Sequence, residues 1–219
     1  MMQKILFSWS CGKDSALALH ELKLSGVRDI ILLTTVTKDY GRTSMHGVRE
    51  ALLELQAESL GYPLEKAYIA AKSSNESYEK TMRDINLKYK NQGVSTVAFG
   101  DIFLEDIRKY REDKLALMDM KALFPLWGRS SEELAHTFIE RGFKAIITCV
   151  DSQALDKEFA GRIYDEQLLK DLPAGVDPCG ENGEFHTFVF DGPIFSKRIP
   201  FEKGEIVLRE NRFYFCDLI

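Results

Sequence analysis

The sequence has no Cys-x-x-Cys pair. Its four cysteines, Cys11, Cys149, Cys179 and Cys216, are widely scattered, which excludes a zinc ribbon or a thioredoxin-like dithiol and reads as reduced thiols in a cytoplasm. It has no apolar run approaching the roughly 20 residues that span a bilayer. Its start, Met1 to Phe7, meets Ser8, Ser10 and Lys13 too soon for a secretory leader, so a soluble, cytoplasmic, unprocessed protein without a membrane partner is expected. It also has no basic excess: 29 Lys and Arg stand against 34 Asp and Glu, a net charge of −5. That leaves no global field to hold nucleic acid against counterions. Repeats, low-complexity tracts and flexible linkers are missing as well. What remains is an ordinary globular composition over 219 residues, 45% hydrophobic and 29% charged, enough for a packed core.

The patterning predicts an α/β protein. Ile5 to Phe7 reads as a strand, and a small polar turn at Ser10 to Lys13 leads into a helical pattern through Leu17, Leu22 and Leu24 that stops at Gly26. Ile30 to Thr37 is almost continuously apolar and β-branched, as a strand covered on both faces of a parallel sheet should be. Val48, Leu52, Leu55 and Leu60 recur at helical spacing until Gly61 and Pro63. Further strands are predicted at Ala67 to Ala70, Val94 to Phe99, Ala122 to Leu126 and Ala145 to Val150. Helices are predicted at Glu76 to Gln92, Leu104 to Met120 and Ser131 to Arg141. This alternation to about residue 150 predicts a doubly wound, mainly parallel sheet with right-handed crossovers. After Pro173 the rhythm changes to strands at Phe188 to Phe190, Glu205 to Arg209 and Arg212 to Cys216, with a turn at Glu210-Asn211. We therefore expect a nucleotide-binding α/β domain over 1–120 and a smaller α+β part over 121–219 packed on it, with a cleft between them.

Ser10-Cys11-Gly12-Lys13-Asp14-Ser15 falls between the first strand and the first helix, where exposed N–H groups and the helix dipole favour an anion. Gly12 permits close backbone approach, Ser10 and Ser15 offer hydroxyls, and Lys13 offers charge. The spacing is neither that of a Walker A loop nor that of a dinucleotide fingerprint. A carboxylate beside a polyphosphate needs an intervening cation, so Asp14 points to Mg²⁺ as its ligand. A simple helix cap would use Ser and Asp but would need neither Gly12 nor Lys13.

Two further segments carry candidate chemistry. Gly100-Asp101 follows a confident strand, at the carboxyl end where open α/β sheets bind ligands. Asp101 is suited to a ribose hydroxyl or a metal. Arg108 is a candidate substrate contact, although Glu105, Asp106, Arg108 and Arg111 also fit a solvated helix face. The Gly-rich run Asp177 to Thr187 brings Glu181, Glu184 and His186 close together, the two acids suited to a second metal, to orienting an ammonium-like nucleophile or to accepting its proton, and His186 to acting as a base. His46 is a candidate for stacking on adenine or binding the acceptor. Cys149 and Cys216 read as core residues, His20 and His136 as packing or surface residues, and Cys179 as the one candidate reactive thiol.

Ser10 to Ser15 resembles the pyrophosphate-binding loop of the PP-loop ATP pyrophosphatases, usually Ser-Gly-Gly-x-Asp-Ser, within the adenine-nucleotide α-hydrolase-like (HUP-type) fold. Cys11 departs from it where a small side chain is expected. Taken in order, Ser10 to Ser15, Gly100 to Arg108 and Glu181 to Thr187 resemble the diphthine–ammonia ligase family over most of the chain. The resemblance implies that ATP adenylates a carboxylate and that ammonia displaces AMP, leaving an amide. It places Ser10, Cys11, Gly12, Lys13, Asp14 and Ser15 on the pyrophosphate, Gly100 and Asp101 near the nucleotide, and Glu181, Gly183 and Glu184 at the acceptor end. Lys13 and Asp14 would then act in the adenylation, and Glu184 or His186 would take the proton from ammonia.

Family members usually read Glu-Gly-Gly-Glu-Phe-Glu-Thr in the third segment, where this chain has Asn182 and His186. With its short length, this suggests a short prokaryotic branch whose acceptor carboxylate, on a small molecule or a protein, need not be diphthine. Ammonia would arrive free or from a partner, and a homodimer is conceivable. The competing readings are a PP-loop tRNA-modifying enzyme, which the charge and scattered thiols disfavour, and a non-catalytic ATP- or AMP-binding regulatory module, which leaves Glu181 to His186 idle.

Overall fold

A computed structural model describes residues 4–219. Its centre is strand β1 (Lys4–Ser8), flanked in parallel by β2 (Asp29–Thr37) and β5 (Thr96–Ala98). Beyond them lie β4 (Leu64–Ile69) on β2 and β6 (Lys121–Leu123) on β5, giving the parallel order β4-β2-β1-β5-β6. A two-residue strand, β3 (Arg42–Thr43), pairs antiparallel with the end of β2.

Alternation along the strands separates the two faces. Ile5, Phe7, Ile30 and Leu32 pack with helices α1 (Lys13–Leu24) and α2 (Glu50–Leu60). Leu6, Ile31, Leu33 and Phe99 pack with helices α3 (Asn75–Lys90) and α4 (Glu105–Ala116) on the opposite face. Period-two burial on both faces is what a doubly wound sheet requires. The winding reverses between β1 and β5, so the loops leaving these strands face each other across the switch point.

The remainder is an α+β unit. Helix α5 (Ser131–Glu140) leads into β7 (Lys144–Asp151), which pairs antiparallel with β8 (Ile163–Tyr164), β9 (Phe185–Asp191) and β11 (Phe213–Leu218). The last hairpin joins β10 (Lys203–Arg209) to β11 through a three-residue loop in which Glu210 and Asn211 both have φ of 52° and Arg212 N–H donates to the Arg209 carbonyl at 3.0 Å. The short helix α6 (Glu166–Asp171) and a 3₁₀ turn fill the connection.

The fold class agrees with expectation: a mainly parallel, doubly wound sheet with a smaller α+β part. The extent of the parallel rhythm does not. Val150 and its neighbours belong to an antiparallel sheet, and the parallel one ends at Leu123, just beyond the expected boundary at 120. Strand β7 is buried along nearly its whole length, so its continuous apolar run imitates that of a parallel strand. The short elements β3, β8 and α6 carry too few residues for a periodic signal. Among the described residues no helix is long and apolar enough to cross a membrane.

Candidate active site

Strand β1 releases the chain at Ser8, and the turn that follows is held in an unusual conformation. Cys11 has φ of 70°, a left-handed geometry that costs a non-glycine residue roughly 1–2 kcal/mol. Its carbonyl oxygen accepts bonds from Val189 N–H at 2.9 Å and Gln56 Nε2 at 3.2 Å, so the second sheet holds the turn in place. The Cys11 side chain is fully buried in the core and does not line the cleft, and burial pushes its thiol pKa up. The Gly in the PP-loop pattern is thus explained by the backbone angle rather than by the small side chain expected from the sequence.

Gly12 caps α1, and the first rung of the helical ladder is Ala16 N–H to Gly12 O at 3.0 Å. A Cβ on Gly12 would lie 2.7 Å from His46 Cε1, and one on Gly100 would lie 3.0 Å from the Ser15 nitrogen. A side chain at either position would therefore require its neighbour to shift, the His46 ring at Gly12 and the backbone at Gly100. Ser10 Oγ donates to Ser15 Oγ at 3.1 Å, and Ser15 Oγ to Gly12 O at 2.9 Å, which closes the cradle.

Lys13 is almost wholly buried, its ammonium bound to both oxygens of Asp14, at 2.7 and 2.8 Å, and to the Cys179 carbonyl. Burial alone would lower its pKa, but the charge of Asp14, with Cys179 and Glu181 adding, turns the net shift upward. Lys13 N–H donates to Thr187 Oγ1 at 3.0 Å, so β9 forms a wall of the cleft beside the start of α1.

Asp101 pairs with Arg111, Nε to Oδ2 at 2.9 Å, and the Arg111 guanidinium sits 4.3 Å from the Phe99 ring. Glu181 Oε1 accepts from Ile102 N–H at 2.8 Å. Its carboxyl is pushed up to about 7, chiefly by burial, with the charges of Asp14 and Asp101 adding and the Ile102 bond and Lys13 opposing. The backbone of this segment is shaped by Asp177, whose Oδ1 accepts from Cys179 N–H and Glu181 N–H at 2.9 and 3.1 Å, and by Gly180 at φ of 66°.

The same folding turns Glu184 away from the cleft. It is buried, and its Oε1 accepts from Asp177 N–H and Asn182 Nδ2, each at 3.0 Å. Gly183, at φ of 89°, supports that turn and does not line the cleft either. His186 does line it, its ring centroid 4.7 Å from that of His46. Burial first, then His46 and Lys13, push His186 down to about 3, and burial likewise lowers His46, whose Nδ1 contacts the Thr187 carbonyl at 3.0 Å. Two neutral imidazoles therefore face the cleft near pH 7.

Ser10, Lys13, Asp14, Ser15, His46, Gly100, Asp101, Glu181 and His186 converge on one cleft of about 320 Å³. Arg108 does not join them. It pairs with Glu112 at 2.8 Å and lies over the Trp127 ring at 4.6 Å, while Arg111, one turn later, takes the place facing the cleft. Cys179 is buried, its Sγ donating to the Ser131 carbonyl at 3.4 Å and its pKa raised by burial, which removes it as a reactive thiol. Thr34, Thr35, Ser44, Met45, Tyr78 and Met82 complete the walls, and no motif in the sequence marked them.

The donor set suits a polyphosphate: a glycine-rich cradle at a helix start, a buried ammonium, and hydroxyl and apolar walls for a nucleoside. Three carboxylates, Asp14, Asp101 and Glu181, line the cleft together, and the charges of the first two add to the upward shift of Glu181. Among the described residues no three metal-ligating side chains form a cage. A divalent ion sharing one carboxylate with substrate phosphates fits that arrangement, because Mg²⁺ commonly takes only one or two protein ligands.

A family model described as the diphthamide synthase N-terminal domain matches residues 2–118, and one described as the C-terminal domain matches residues 130–217. The chain belongs to the diphthamide synthase family. A diphthine–ammonia ligase of Bos taurus is 31% identical over 90% of this chain and 82% of its own length. One of Schizosaccharomyces pombe is 26% identical over 93% of this chain, which spans 37% of that longer protein. A crystal structure described as a predicted subunit of tRNA methyltransferase from Methanocaldococcus jannaschii is 20% identical, with a TM-score of 0.46 over 90% of this chain and 100% of that one. All three segments singled out in the sequence lie within the two matched regions of the family.

Proposed function

We propose that this family member is an ATP-dependent ligase that adenylates a carboxylate, releases pyrophosphate, and converts the acyl-adenylate to an amide with ammonia. The observation that carries the reading is the meeting of the Lys13–Asp14 cradle with Glu181, a carboxyl held near neutrality in the same cleft. Membership in a family whose curated relatives carry the name diphthine–ammonia ligase supports it.

In the first step an acceptor carboxylate oxygen bonds to the α-phosphorus and the bond to the β-phosphate bridging oxygen breaks. Lys13 and the N–H groups opening α1 stabilise the charge leaving on pyrophosphate. Asp14 is the side chain that would hold Mg²⁺, which would supply further neutralisation of the departing charge. In the second step ammonia attacks the acyl carbon, AMP leaves with the acyl C–O bonding pair, and the surplus proton passes to Glu181. Glu181 takes the role expected of Glu184 or His186 because it faces the cleft and ionises near pH 7, whereas Glu184 is turned inward and His186 is too weak a base. Residues 1–120 hold the nucleotide, and within 121–219 the segment from Asp177 to Thr187 closes over the reacting carboxylate of the acceptor.

The test is to incubate the protein with α-labelled ATP, Mg²⁺, ammonium and cell extract. AMP formation that requires both ammonium and extract, with an acid becoming an amide by mass spectrometry, is the expected result. ADP as the product, or AMP released without any amide, rejects the reading.

A further inference from the structure

A second cavity of about 410 Å³ lies between α3 and α4 and shares the side chains Tyr78, Met82 and Arg111 with the first cleft, so the two adjoin. The cleft itself, at about 320 Å³, is at the small end for a single bound molecule, and a nucleoside triphosphate uses it up. The body of an acceptor needs other space. The second cavity has an apolar floor, with Met82, Phe99, Leu115 and Met118 among its lining.

Its polar groups point to the occupant. Asn86 is only 7% exposed, and its Oδ1 is buried without a hydrogen-bond partner, an arrangement that costs free energy until a donor arrives. Glu79 is already engaged by Lys114 at 2.6 Å and by the Tyr110 hydroxyl at 3.2 Å. Lys80 and Arg83, both exposed on the rim, have no ion pair among the described residues. Glu76 is the exposed acid on the same rim, and Arg111, paired with Asp101, stands at the junction with the cleft, so Lys80 and Arg83 are the cations left to meet an anionic occupant.

We propose that the groove between α3 and α4 binds the acceptor, a small amphipathic carboxylic acid whose apolar body lies on Met82, Phe99, Leu115 and Met118 while its carboxylate passes Arg111 to reach the nucleotide. The proposal rests on the ligase reading and supplies its missing substrate class. It asks of the acceptor an apolar chain, an N–H or O–H donor for Asn86, and anionic groups for Lys80, Arg83 and Arg111.

N-octanoyl-L-glutamate has all three and serves as the probe. Leu117 is 83% exposed at the edge of the groove and all four native cysteines are buried, so L117C takes an environment-sensitive fluorophore selectively. Saturable change of the label's emission by the probe is expected, with octanamide, which lacks the carboxylates, much weaker. K80E/R83E on that background should weaken the probe by about tenfold or more, the scale of two lost charge contacts, and leave ATP binding unchanged. No saturable change, equal affinity in K80E/R83E, or displacement of the probe by saturating ATP would overturn the assignment. AMP formation from labelled ATP is measured separately. Its failure condemns the ligase reading without altering the emission result, and failure of the emission test leaves that reading in place.

Discussion

Gly100 and Ser15 meet backbone to backbone: a Cβ at Gly100 would stand 3.0 Å from the Ser15 nitrogen and 3.1 Å from the Asp14 carbonyl carbon. The loop after β5 thus acts as a stop that sets the position of the loop after β1. Gly100→Val forces them apart, and since neither neighbour is a flexible side-chain end the backbone must move. ATP affinity by calorimetry should fall by about tenfold or more, the cost of a small displacement in a preorganised site, while circular dichroism keeps its native form. Unchanged ATP affinity would show that the contact has no bearing on the cradle.

Asp14→Asn keeps the shape of the helix start but leaves the buried Lys13 ammonium without its counter-charge. Turnover of ATP to AMP should drop by about 10²-fold or more, as when one key electrostatic contact is lost, with folding preserved. Native AMP formation in the folded variant would remove Asp14 from the chemistry.

The pH profile tests Glu181. Its carboxyl, raised to about 7, is protonated and inert as a base below that pH and ionised above it. Amide formation should therefore climb through pH 7 to a plateau, and Glu181→Gln should flatten that limb and cost about 10²-fold in kcat/KM for ammonia. His186→Gln should leave the limb in place, because an imidazole pushed down to about 3 does not titrate there.

Asp217 links the last strand to the first sheet, bonded to Arg49 at 2.6 Å and to Arg42 at 2.8 Å. Arg49 first, then Arg42, hold its carboxyl below the usual value of 3.8. A depressed pKa contributes stability that is fully present above the ordinary carboxylate range and is lost as pH falls through the folded value. Asp217→Asn should lower stability at pH 7 by about 1 kcal/mol, given the partial exposure of the cluster. In denaturant melts the gap from wild type should close progressively below pH 3.8. A gap that widens with acid would contradict the sign.

Thiol chemistry provides a further check. All four cysteines are buried, so Ellman's reagent should react slowly with the native protein and promptly with four thiols in denaturant. Rapid labelling of Cys179 in the native state would mean that the segment over Lys13 opens readily.

The sequence was most legible where local chemistry decides the outcome. The apolar runs of β1 and β2, the stop at Gly61 and the turn at Glu210-Asn211 read directly, as did the strand-to-helix loop from Ser10 to Ser15. It was least legible where direction depends on distant contacts. Glu181 and Glu184 are three residues apart on a loop, and only the Asp177 turn, Gly180 and the inward bonds of Glu184 decide which one faces the cleft. Helix α4 is polar around most of its circumference, so no apolar stripe distinguished Arg108 from Arg111. Cys11 looked like a matter of side-chain size because φ is not written in the residue name.

The bond from Val189 to Cys11, with that from Lys13 to Thr187, has a bearing on biosynthesis. A ribosome delivers the strand that braces this turn more than 170 positions after the turn itself. The nascent front half must therefore wait, its opening turn unsupported, until β9 has emerged, and cutting the gene between the two matched regions would yield a front half with an unbraced turn.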